Sequence, residues 1–499
     1  MYRKSELPST PPENFELPFE GKLSQDNRWV IIANLIPWSE FEAEYASLFS
    51  EEMGTPAKTF RTALGALIIK EKLGTSDRET VEQIKENPYL QYFLGFSSYS
   101  NEPRFEASML VHFRERITLE LINKVNRFMV KNSREIKEEE NTEKKLESET
   151  QSQPENRGKL ILDASCAPAD ISYPTDLNLL NQGRKQTEKI IDILYETLKG
   201  KLVQKPRTYR LLARKSYLEV AKKRKPTVKQ RRKALKRQLQ YLKRNLDHIE
   251  QLLAEGASLQ SLKKRDYKLL LVVTEVYRQQ LWMYQNNKQS IEDRIVSLTQ
   301  PHIRPIVRGK AGKPVEFGAK FSASCIDGYI FLDRISWDNF NESGDLKAQI
   351  EAYYDYTGYY PESVHVDKIY RTRENRAWCK ERGIRISGPP LGRPAKNVSK
   401  EQKKQAADDE RIRNCIEGKF GQGKRRFSLG KVMAKLPHTS FSAIAITFLV
   451  MNLSNLLRQV FWAFLCLKWK NSTFSRSMIR ISYNLKKINQ QLKLMLVAK

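Results

Sequence analysis

The sequence predicts a mixed α/β core with a large helical insertion after its first strand, preceded by an all-α N-terminal domain. Three observations predict this fold class. Short apolar runs typical of strands stand on both sides of residues 183–300. Within residues 183–300 the apolar residues are spaced by three and four, as on the buried face of a helix. The patterns in residues 1–131 are those of helices.

Helix signals recur through residues 1–131. The run "TFRTALGALIIKEKLG" ends at Gly74, and Ser76 and Glu79 then form an S-x-x-E capping box that starts the next helix. That helix should stop before Pro88, and a third covers "FEASMLVHFRERITLELINKVNRFM". Residues 132–157 are almost all charged or polar, so they predict a flexible linker.

Strand signals begin after the linker. The apolar run "KLIL", residues 159–162, predicts a strand that ends on Asp163. The alternating run "VEFGAKFSASCIDGYIFLDRISW" contains Asp327-Gly328, which predicts a hairpin with a type I′ turn. A third strand, in "ESVHVDKIY", ends on Asp367. The mixed α/β core is therefore predicted over residues 158–182 and 301–460.

The elements that follow alternate between helix and strand. A helix covers "TRENRAWCKERG", and "IRISG" is a short strand. The run "DDERIRNCIEGKFGQGKRRFSLG" begins as a helix and continues into a glycine-rich basic stretch, where flexible backbone is expected. The apolar run "FSAIAITFLVMNLSNLLRQVFWAFLCLKW" contains polar residues, so it predicts a buried core helix rather than a membrane span. Residues 461–499 form a basic tail.

The charge of the chain points to a polyanion. The chain has 87 basic and 58 acidic residues, a net charge of +29, so nucleic acid is the favoured polyanion and an anionic membrane surface is the alternative. Five scattered Cys without a CxxC pair, and five isolated His, argue against a zinc site or a disulfide scaffold.

The basic charge is densest inside the predicted insertion. From Lys199 to Arg244 there are 19 Lys or Arg and one acid, Glu219. Two apolar stripes with heptad spacing flank a short loop and predict an antiparallel helical hairpin. The stripes are Leu235, Leu239, Leu242, Leu246, Ile249 and Leu253, then Tyr267, Leu270, Thr274, Tyr277, Leu281 and Tyr284. The basic face is either simply solvated or contacts DNA phosphates, and the charge imbalance favours DNA contact. The candidate DNA-binding residues are Lys222, Lys223, Arg224, Arg231 and Arg232.

Three acids carry the candidate chemistry. Asp163 and Asp367 end two strands, and Glu417 lies on a helix. Convergent carboxylates repel one another unless a cation lies between them, and hard oxygen ligands select Mg²⁺ or Mn²⁺. Two such ions activate a water or a 3′-hydroxyl and stabilise the leaving oxygen of a phosphodiester. A single Asp at a strand end is more often a turn or helix cap. Asp170, Asp176, Asp333 and Asp355 fit caps equally well.

The spacing around Glu417 is more specific. It reads Arg413-x3-Glu417-x6-Lys424, so Arg413 and Glu417 share one helix face, and Lys424 falls beyond three glycines. Here the sequence resembles the DDE transposases of bacterial insertion sequences that carry a Y-x2-R-x3-E-x6-K signature. The signature Tyr position is Glu410 in this chain.

Other segments resemble the same family. They are "GAKFSASCIDGYIFLDRISWDNFNES", "VHVDKIYRTRENRAWCKERGIRISGPPLGRP" and the N-terminal "TPAKTFRTALGALIIKEKLGTSDRETVEQIKENPYLQYFLGF". The resemblance covers most of residues 50–130 and 159–460. It implies an RNase H-like core in which Asp163, Asp367 and Glu417 are the catalytic and metal-binding triad. It also implies that Arg413 and Lys424 hold DNA near the cut.

The function that the resemblance implies is binding of the terminal repeats of an element, metal-dependent DNA cleavage and strand transfer. The N-terminal domain would bind the repeats or mediate dimerisation. The expected partners are double-stranded DNA (element ends and target) and a second copy of the chain, with no membrane and no small-molecule substrate. The expected location is the bacterial cytoplasm, at the nucleoid. Two alternatives stay open: a DNA-binding protein that has lost cleavage, and a metal-dependent nuclease that cuts without joining.

Overall fold

A computed structural model describes residues 15–17, 21–50, 54–142, 156–202, 204–310, 313–388 and 399–471. The chain divides into two compact units. The helical unit contains the described parts of residues 1–153, 326–331 and 445–499, and the mixed unit contains those of residues 154–325 and 332–444. The sequence-based boundaries differ, since they assign residues up to 460 to the catalytic core.

Seven helices lie in the described part of the first 142 residues. They are α1 Arg28–Leu35, α2 Trp38–Ala46, α3 Phe60–Leu73, α4 Asp77–Glu86, α5 Pro88–Phe93, α6 Met109–Arg116 and α7 Leu119–Thr142. Helix α3 is buried along nearly all its length, so the other helices pack around it. The end of α3 and the start of α4 agree with the sequence signals. Gly74 is left-handed with φ 70°, and the Ser76 hydroxyl accepts a hydrogen bond from Glu79 N at 3.2 Å.

Helix α7 extends further than the sequence indicates. The linker was predicted to begin at residue 132, but α7 continues to Thr142. A helix can continue here because Glu, Lys and Arg have high helix propensity and need no buried face. The rest of the predicted linker, residues 143–155, lies outside the described residues.

The last described helix, α15 Pro437–Asn471, belongs to the helical unit from residue 445 onward. Its buried polar groups are paired within that unit: Thr447 Oγ1 donates to Glu71 Oε1 at 2.8 Å, and Asn452 Nδ2 donates to Asn126 Oδ1 at 3.0 Å. Asn452 also exchanges two hydrogen bonds with the backbone of Ile330. Residues Pro437–Trp462 are long and apolar enough to cross a membrane by composition, and 78% of that window is buried. This burial agrees with the prediction of a core helix.

The mixed unit is built on a six-stranded sheet. The strands are β1 Lys159–Pro168, β2 Arg304–Lys310, β3 Lys313–Ile326, β4 Tyr329–Ser336, β5 Ser363–Val366 and β6 Arg385–Ile386. Their order is β2-β3-β1-β5-β6, with β4 also paired to β3. Asp327 and Gly328 both have positive φ, 50° and 81°, as the predicted type I′ turn requires. Gly318 is needed where β3 meets β1, because a Cβ there would lie 2.1 Å from the Ala167 oxygen.

Seven helices accompany these strands. They are α8 Asp176–Thr197, α9 Arg210–Ala221, α10 Val228–Ala254, α11 Lys264–Gln285, α12 Leu346–Thr357, α13 Arg373–Glu381 and α14 Lys400–Arg426. Helices α8 to α11 lie between β1 and β2, where the sequence predicts a helical insertion; α8 begins at Asp176, whereas the predicted insertion begins at residue 183.

The insertion is a bundle rather than a simple hairpin. The predicted hairpin of α10 and α11 is present, and α8 packs against both helices. Leu180 of α8, Leu242 of α10 and Val273 of α11 share one buried cluster. The buried Asn245 donates from Nδ2 to Thr187 Oγ1 of α8 at 3.0 Å, which joins α10 to α8. The heptad pattern marks the α10–α11 seam, but a local pattern does not reveal a third helix.

Candidate active site

The pairing of β1 with β5 places the two predicted aspartates side by side. The strands are parallel, and the register runs from Lys159 opposite Ser363 to Leu162 opposite Val366. The next position in that register sets Asp163 opposite Asp367. The prediction that the strand ends on Asp163 is wrong, because β1 continues to Pro168. The pairing with β5 ends at Leu162, immediately before Asp163.

Asp163 and Asp367 line the same cavity, which has a volume of about 630 Å³. The neighbouring wall is formed by β2, β3 and the segment that leads into α12. The other lining residues are Ala164, Ser165, Ile306, Val307, Lys320, Asn339, Phe340, Asn341, Glu342 and Ile369. The carboxylate of Asp163 is half-buried, whereas that of Asp367 is exposed and accepts a hydrogen bond from Lys368 N at 2.7 Å.

The environment of Asp163 disfavours its charged form. Burial raises the pKa of Asp163 to about 6, and the negative charges of Glu417 and Asp367 act in the same direction. A hydrogen bond from Ala164 N, at 2.8 Å, and the charge of Arg413 oppose the increase. Glu417 and Asp367 are therefore near enough for their charges to act on Asp163. A cation in this place would relieve the repulsion.

Glu417 lies on α14, which packs against β1 and β5. Ile416, Phe420 and Gly423 of this helix are buried at spacings of four and three, a helical stripe that faces inward. This packing explains why the helix continues through Gly418 and Gly421 to Arg426. The prediction that Lys424 lies on flexible backbone is wrong, since burial of the stripe offsets the roughly 1 kcal/mol that each helical glycine costs.

An ion pair with a buried carboxylate fixes the position of α14. Arg385 of β6 donates two hydrogen bonds to the Asp409 carboxylate, at 2.8 and 2.9 Å. His365 of β5 is fully buried, with Nδ1 at 3.6 Å from Asp409 and Nε2 at 3.1 Å from Ser363 Oγ. These contacts join α14, at Asp409, to β5 and β6. They fix where α14 lies along the sheet, and therefore the position of Glu417, which is two turns after Asp409.

Arg413 connects two acids of its own helix. Its NH1 donates to Glu417 Oε1 at 2.9 Å, and its NH2 donates to Glu410 Oε1 at 2.6 Å. The hydrogen bonds with Glu410, and then those with Glu417, raise the pKa of Arg413 well above its usual value. Glu410, the acid at the signature Tyr position, therefore engages the guanidinium that the resemblance predicts to contact DNA.

Two of the three predicted metal ligands, Asp163 and Asp367, are placed where they could bind a hard divalent cation. Asp163 and Asp367 provide oxygen ligands in one cavity, and carboxylates are the ligands that Mg²⁺ and Mn²⁺ prefer. Within the described ranges, no three His, Cys, Asp or Glu side chains lie close enough together to hold a metal ion. Glu417 points its Oε1 to Arg413 instead, and its side chain is 54% exposed. Glu417 could join the two aspartates by leaving Arg413, which its exposure permits.

The predicted DNA-binding residues of the insertion lie at one end of the bundle. Lys222, Lys223 and Arg224 form the turn after α9, and Arg231 and Arg232 lie in the first turn of α10; all five are exposed. Arg232 also has structural contacts. It donates to Asn287 Oδ1 at 2.9 Å and to the Tyr284 oxygen at 3.2 Å, and its guanidinium lies 4.4 Å from the Tyr284 ring.

Three residues near the site were not found from the sequence. Lys320 and Glu342 line the cavity and form an ion pair. Tyr370 is fully buried, and its hydroxyl has no hydrogen-bond partner among the described residues. Burial raises the pKa of Tyr370 strongly, and among the neighbouring charges that of Asp163 raises this pKa the most. Only the "DKIY" spacing could have indicated Tyr370, whereas Lys320 and Glu342 meet through tertiary contacts alone.

Two family models match the chain. Residues 364–454 match a transposase DDE domain, and residues 17–116 match a transposase domain of the DUF772 type. The chain is therefore similar to DDE transposases over these two segments. The DDE match includes Asp367 and Glu417, and it begins after Asp163. Enzymes of this family use divalent metals, in agreement with the carboxylates of the cavity.

A curated relative from Rhizobium meliloti, an uncharacterized protein called ORF8 in the nfe locus, is 30% identical over 150 residues. The match covers 30% of this chain and 66% of that protein, slightly less than two thirds of its length. No solved structure matches the chain.

Proposed function

We propose that this protein is a transposase that binds the terminal inverted repeats of its own insertion sequence and catalyses metal-dependent DNA cleavage and strand transfer. The observation that carries the proposal is the pairing of β1 with β5, which presents Asp163 and Asp367 to one cavity. This occurs in a chain that contains a transposase DDE domain. Glu417, whose charge acts on Asp163, is the third acid of the proposed triad.

The reaction consists of two phosphoryl transfers. Water attacks the phosphorus at the element end and the 3′-oxygen leaves as a hydroxyl; that hydroxyl then attacks a target phosphate and displaces its 3′-oxygen. Bound Mg²⁺ or Mn²⁺, as two ions, would activate the attacking oxygen and stabilise the leaving oxygen. Asp163, Asp367 and Glu417 would hold the ions. The rigid pairing of β1 with β5 fixes the first two carboxylates before DNA arrives.

We assign the core of the mixed unit to the RNase H-like class and the chain to the group with the Y-x2-R-x3-E-x6-K signature. The strand order and the parallel β1–β5 pair support the class. The Arg413, Glu417 and Lys424 spacing supports the group, even though Glu410 replaces the Tyr. Arg413 and Lys424 are the proposed DNA contacts beside the cut.

The proposed partner is double-stranded DNA, and the distribution of charge indicates where it binds. Residues 183–300 contain 29 basic and 11 acidic residues, whereas residues 1–131 contain 16 basic and 19 acidic. Phosphate contact therefore belongs to the insertion. For the N-terminal residues this favours dimerisation over repeat binding, and we propose a homodimer that brings two DNA ends together. The proposed location is the bacterial cytoplasm, at the nucleoid.

The test is cleavage of DNA that contains the sequences flanking the gene. The purified protein is incubated with a supercoiled plasmid carrying both flanks, with Mg²⁺, Mn²⁺ or EDTA. We expect cuts at the flanking repeats that require metal, followed by products in which the freed 3′ ends are joined to other DNA. Cutting without joined products would identify a nuclease. A protein that shifts the DNA in gel electrophoresis but never cuts it with either metal would contradict the proposal.

A further inference from the structure

The cavity that contains the two aspartates also contains a restrained cation. Lys320 of β3 lines the cavity, and its side chain is only 13% exposed. Its Nζ donates to the Phe340 carbonyl oxygen at 2.6 Å, forms an ion pair with Glu342 and lies 5.0 Å from the centre of the Phe340 ring. A lysine normally has many rotamers, so three contacts of this kind fix the ammonium in one place before any ligand binds.

Folding stability is a poor explanation for the ion pair between Lys320 and Glu342. The Glu342 side chain is 17% exposed, so both charges have lost most of their water. Burial of an ion pair costs desolvation that the attraction between the charges only partly returns, and apolar residues of similar size often serve as well. A buried pair at the wall of a candidate active site is therefore better explained by what the cavity binds.

The charges of the cavity show what Lys320 can do. Asp163, Asp367 and Glu342 are acidic, and Lys320 is the basic residue among the described residues that line the cavity. A DNA phosphate approaching three carboxylates is repelled. An ammonium has three N–H donors, and among the described residues Phe340 and Glu342 engage two, so the third is available to a ligand in the cavity.

We propose that Lys320 binds a backbone phosphate of the DNA strand being cut, and that Glu342 and the Phe340 carbonyl hold its ammonium in place for that contact. The inference rests on the proposed function, because it assumes that DNA enters this cavity. Lys320 lies on β3, which is next to β1 in the sheet, and both Lys320 and Asp163 line the cavity. A DNA strand whose phosphate reaches Asp163 therefore passes Lys320 as well. The contact adds a positive charge that is already in position where the phosphate gains negative charge.

The experiment compares three variants with the wild-type protein. Lys320→Met removes the ammonium. Lys320→Met combined with Glu342→Gln removes both charges, so that no unpaired buried carboxylate remains. Lys347→Met is the control, since Lys347 pairs with Glu374 on the surface, at 2.6 Å, and does not line the cavity. Cleavage rates are measured at saturating plasmid with Mg²⁺, DNA affinity is measured with a fluorescent duplex in EDTA, and unfolding is followed by circular dichroism.

We expect Lys320→Met to lower the cleavage rate by about 100-fold while DNA affinity in EDTA changes less than about threefold. The double variant should unfold at the wild-type temperature and still cleave slowly, and Lys347→Met should cleave as the wild type does. Normal cleavage by Lys320→Met would overturn the inference. Restored cleavage in the double variant would also overturn it, because Lys320 would then only neutralise Glu342. Absence of cleavage by the wild-type protein would instead contradict the proposed function itself.

Discussion

The cavity and the helical insertion of the mixed unit distribute function in opposite ways. The candidate chemistry depends on two aspartates that one strand pairing brings together, with a third acid on a neighbouring helix. The candidate DNA surface contains many exposed Lys and Arg spread over several helices. One substitution should abolish the first function, whereas the second should decline gradually. Metal chemistry needs exact placement of a few ligands, while phosphate attraction needs only charge density.

The largest expected effect is that of Asp163→Asn. Loss of a carboxylate ligand should reduce plasmid cleavage on the order of 10³-fold or more, because the metal-activated oxygen depends on it. DNA affinity in EDTA should not fall, since the insertion keeps its charge. Asp163→Glu is the companion variant, because it keeps the charge and moves the oxygens. Substantial cleavage by Asp163→Asn would show that the chemistry lies elsewhere.

The second effect is on DNA affinity. A variant with Lys222→Gln, Lys223→Gln, Arg224→Gln and Arg231→Gln should bind a duplex about 100-fold more weakly at 0.1 M salt. The slope of log affinity against log salt should become shallower by about 0.9 for each DNA phosphate that the variant no longer neutralises. Fluorescence anisotropy across a salt series measures both quantities.

Its control removes the same charge elsewhere. Lys22→Gln, Arg28→Gln, Arg78→Gln and Lys380→Gln replace four exposed basic residues outside the insertion. We expect only a small loss of affinity, of the size that net charge alone causes. An equal loss in both variants would mean that no particular surface of the insertion binds DNA.

The third effect is the pH dependence of the free energy of unfolding, which depends on Asp163 in the cavity and not on the charges of the insertion. The pKa of Asp163 is raised to about 6 in the folded protein, so stability is lost as the pH rises from about 4 through 6. Asp163→Asn removes this loss. In EDTA its free energy of unfolding should match the wild type near pH 4 and exceed it by up to about 3 kcal/mol at pH 7.5.

Urea unfolding at both pH values tests this prediction. Asp367→Asn is the matched control, because its side chain is exposed and little desolvation is relieved. A greater stability of Asp163→Asn that is equal at both pH values would show that the charge on the half-buried Asp163 side chain is not its cause. A metal ion bound by Asp163 would offset the same unfavourable charge.

The sequence predicted what depends on local pattern. The hairpin at Asp327-Gly328 is confirmed, since the turn requires positive φ at both residues. It did not predict that β1 passes beyond Asp163, because the end of a strand pairing is set by the partner strand. It did not predict that the helix continues through Gly421 either. Burial of Phe420 on the side of the helix that faces the sheet outweighs the low helix propensity of glycine.

For the site, the sequence indicated residues but not their contacts. The roles of Asp163, Asp367 and Glu417 stay predictions, although the structure brings the first two into one cavity. Lys320 and Glu342 are 22 residues apart and belong to no motif, so only the tertiary fold reveals their ion pair. Arg413 was predicted to clamp DNA, and only the structure shows that Glu410 and Glu417 both engage it.

The smallest predicted effect lies at Arg413, where a residue next to the cavity is predicted to bind DNA. Glu410→Gln removes the charge that competes with phosphate for the guanidinium. Because the Glu410 side chain is 55% exposed and its charge is well solvated, the gain should be modest, an increase in DNA affinity of about two- to fivefold at 0.1 M salt. Asp408→Asn is the control, since Asp408 pairs with Arg411 at 3.4 Å on the same helix and with the same i, i+3 spacing. Anisotropy titrations of both variants between about 50 and 200 mM salt compare the two gains. If Glu410→Gln gains no more affinity than Asp408→Asn, Arg413 does not reach DNA, and its contact with Glu417 is then its main role.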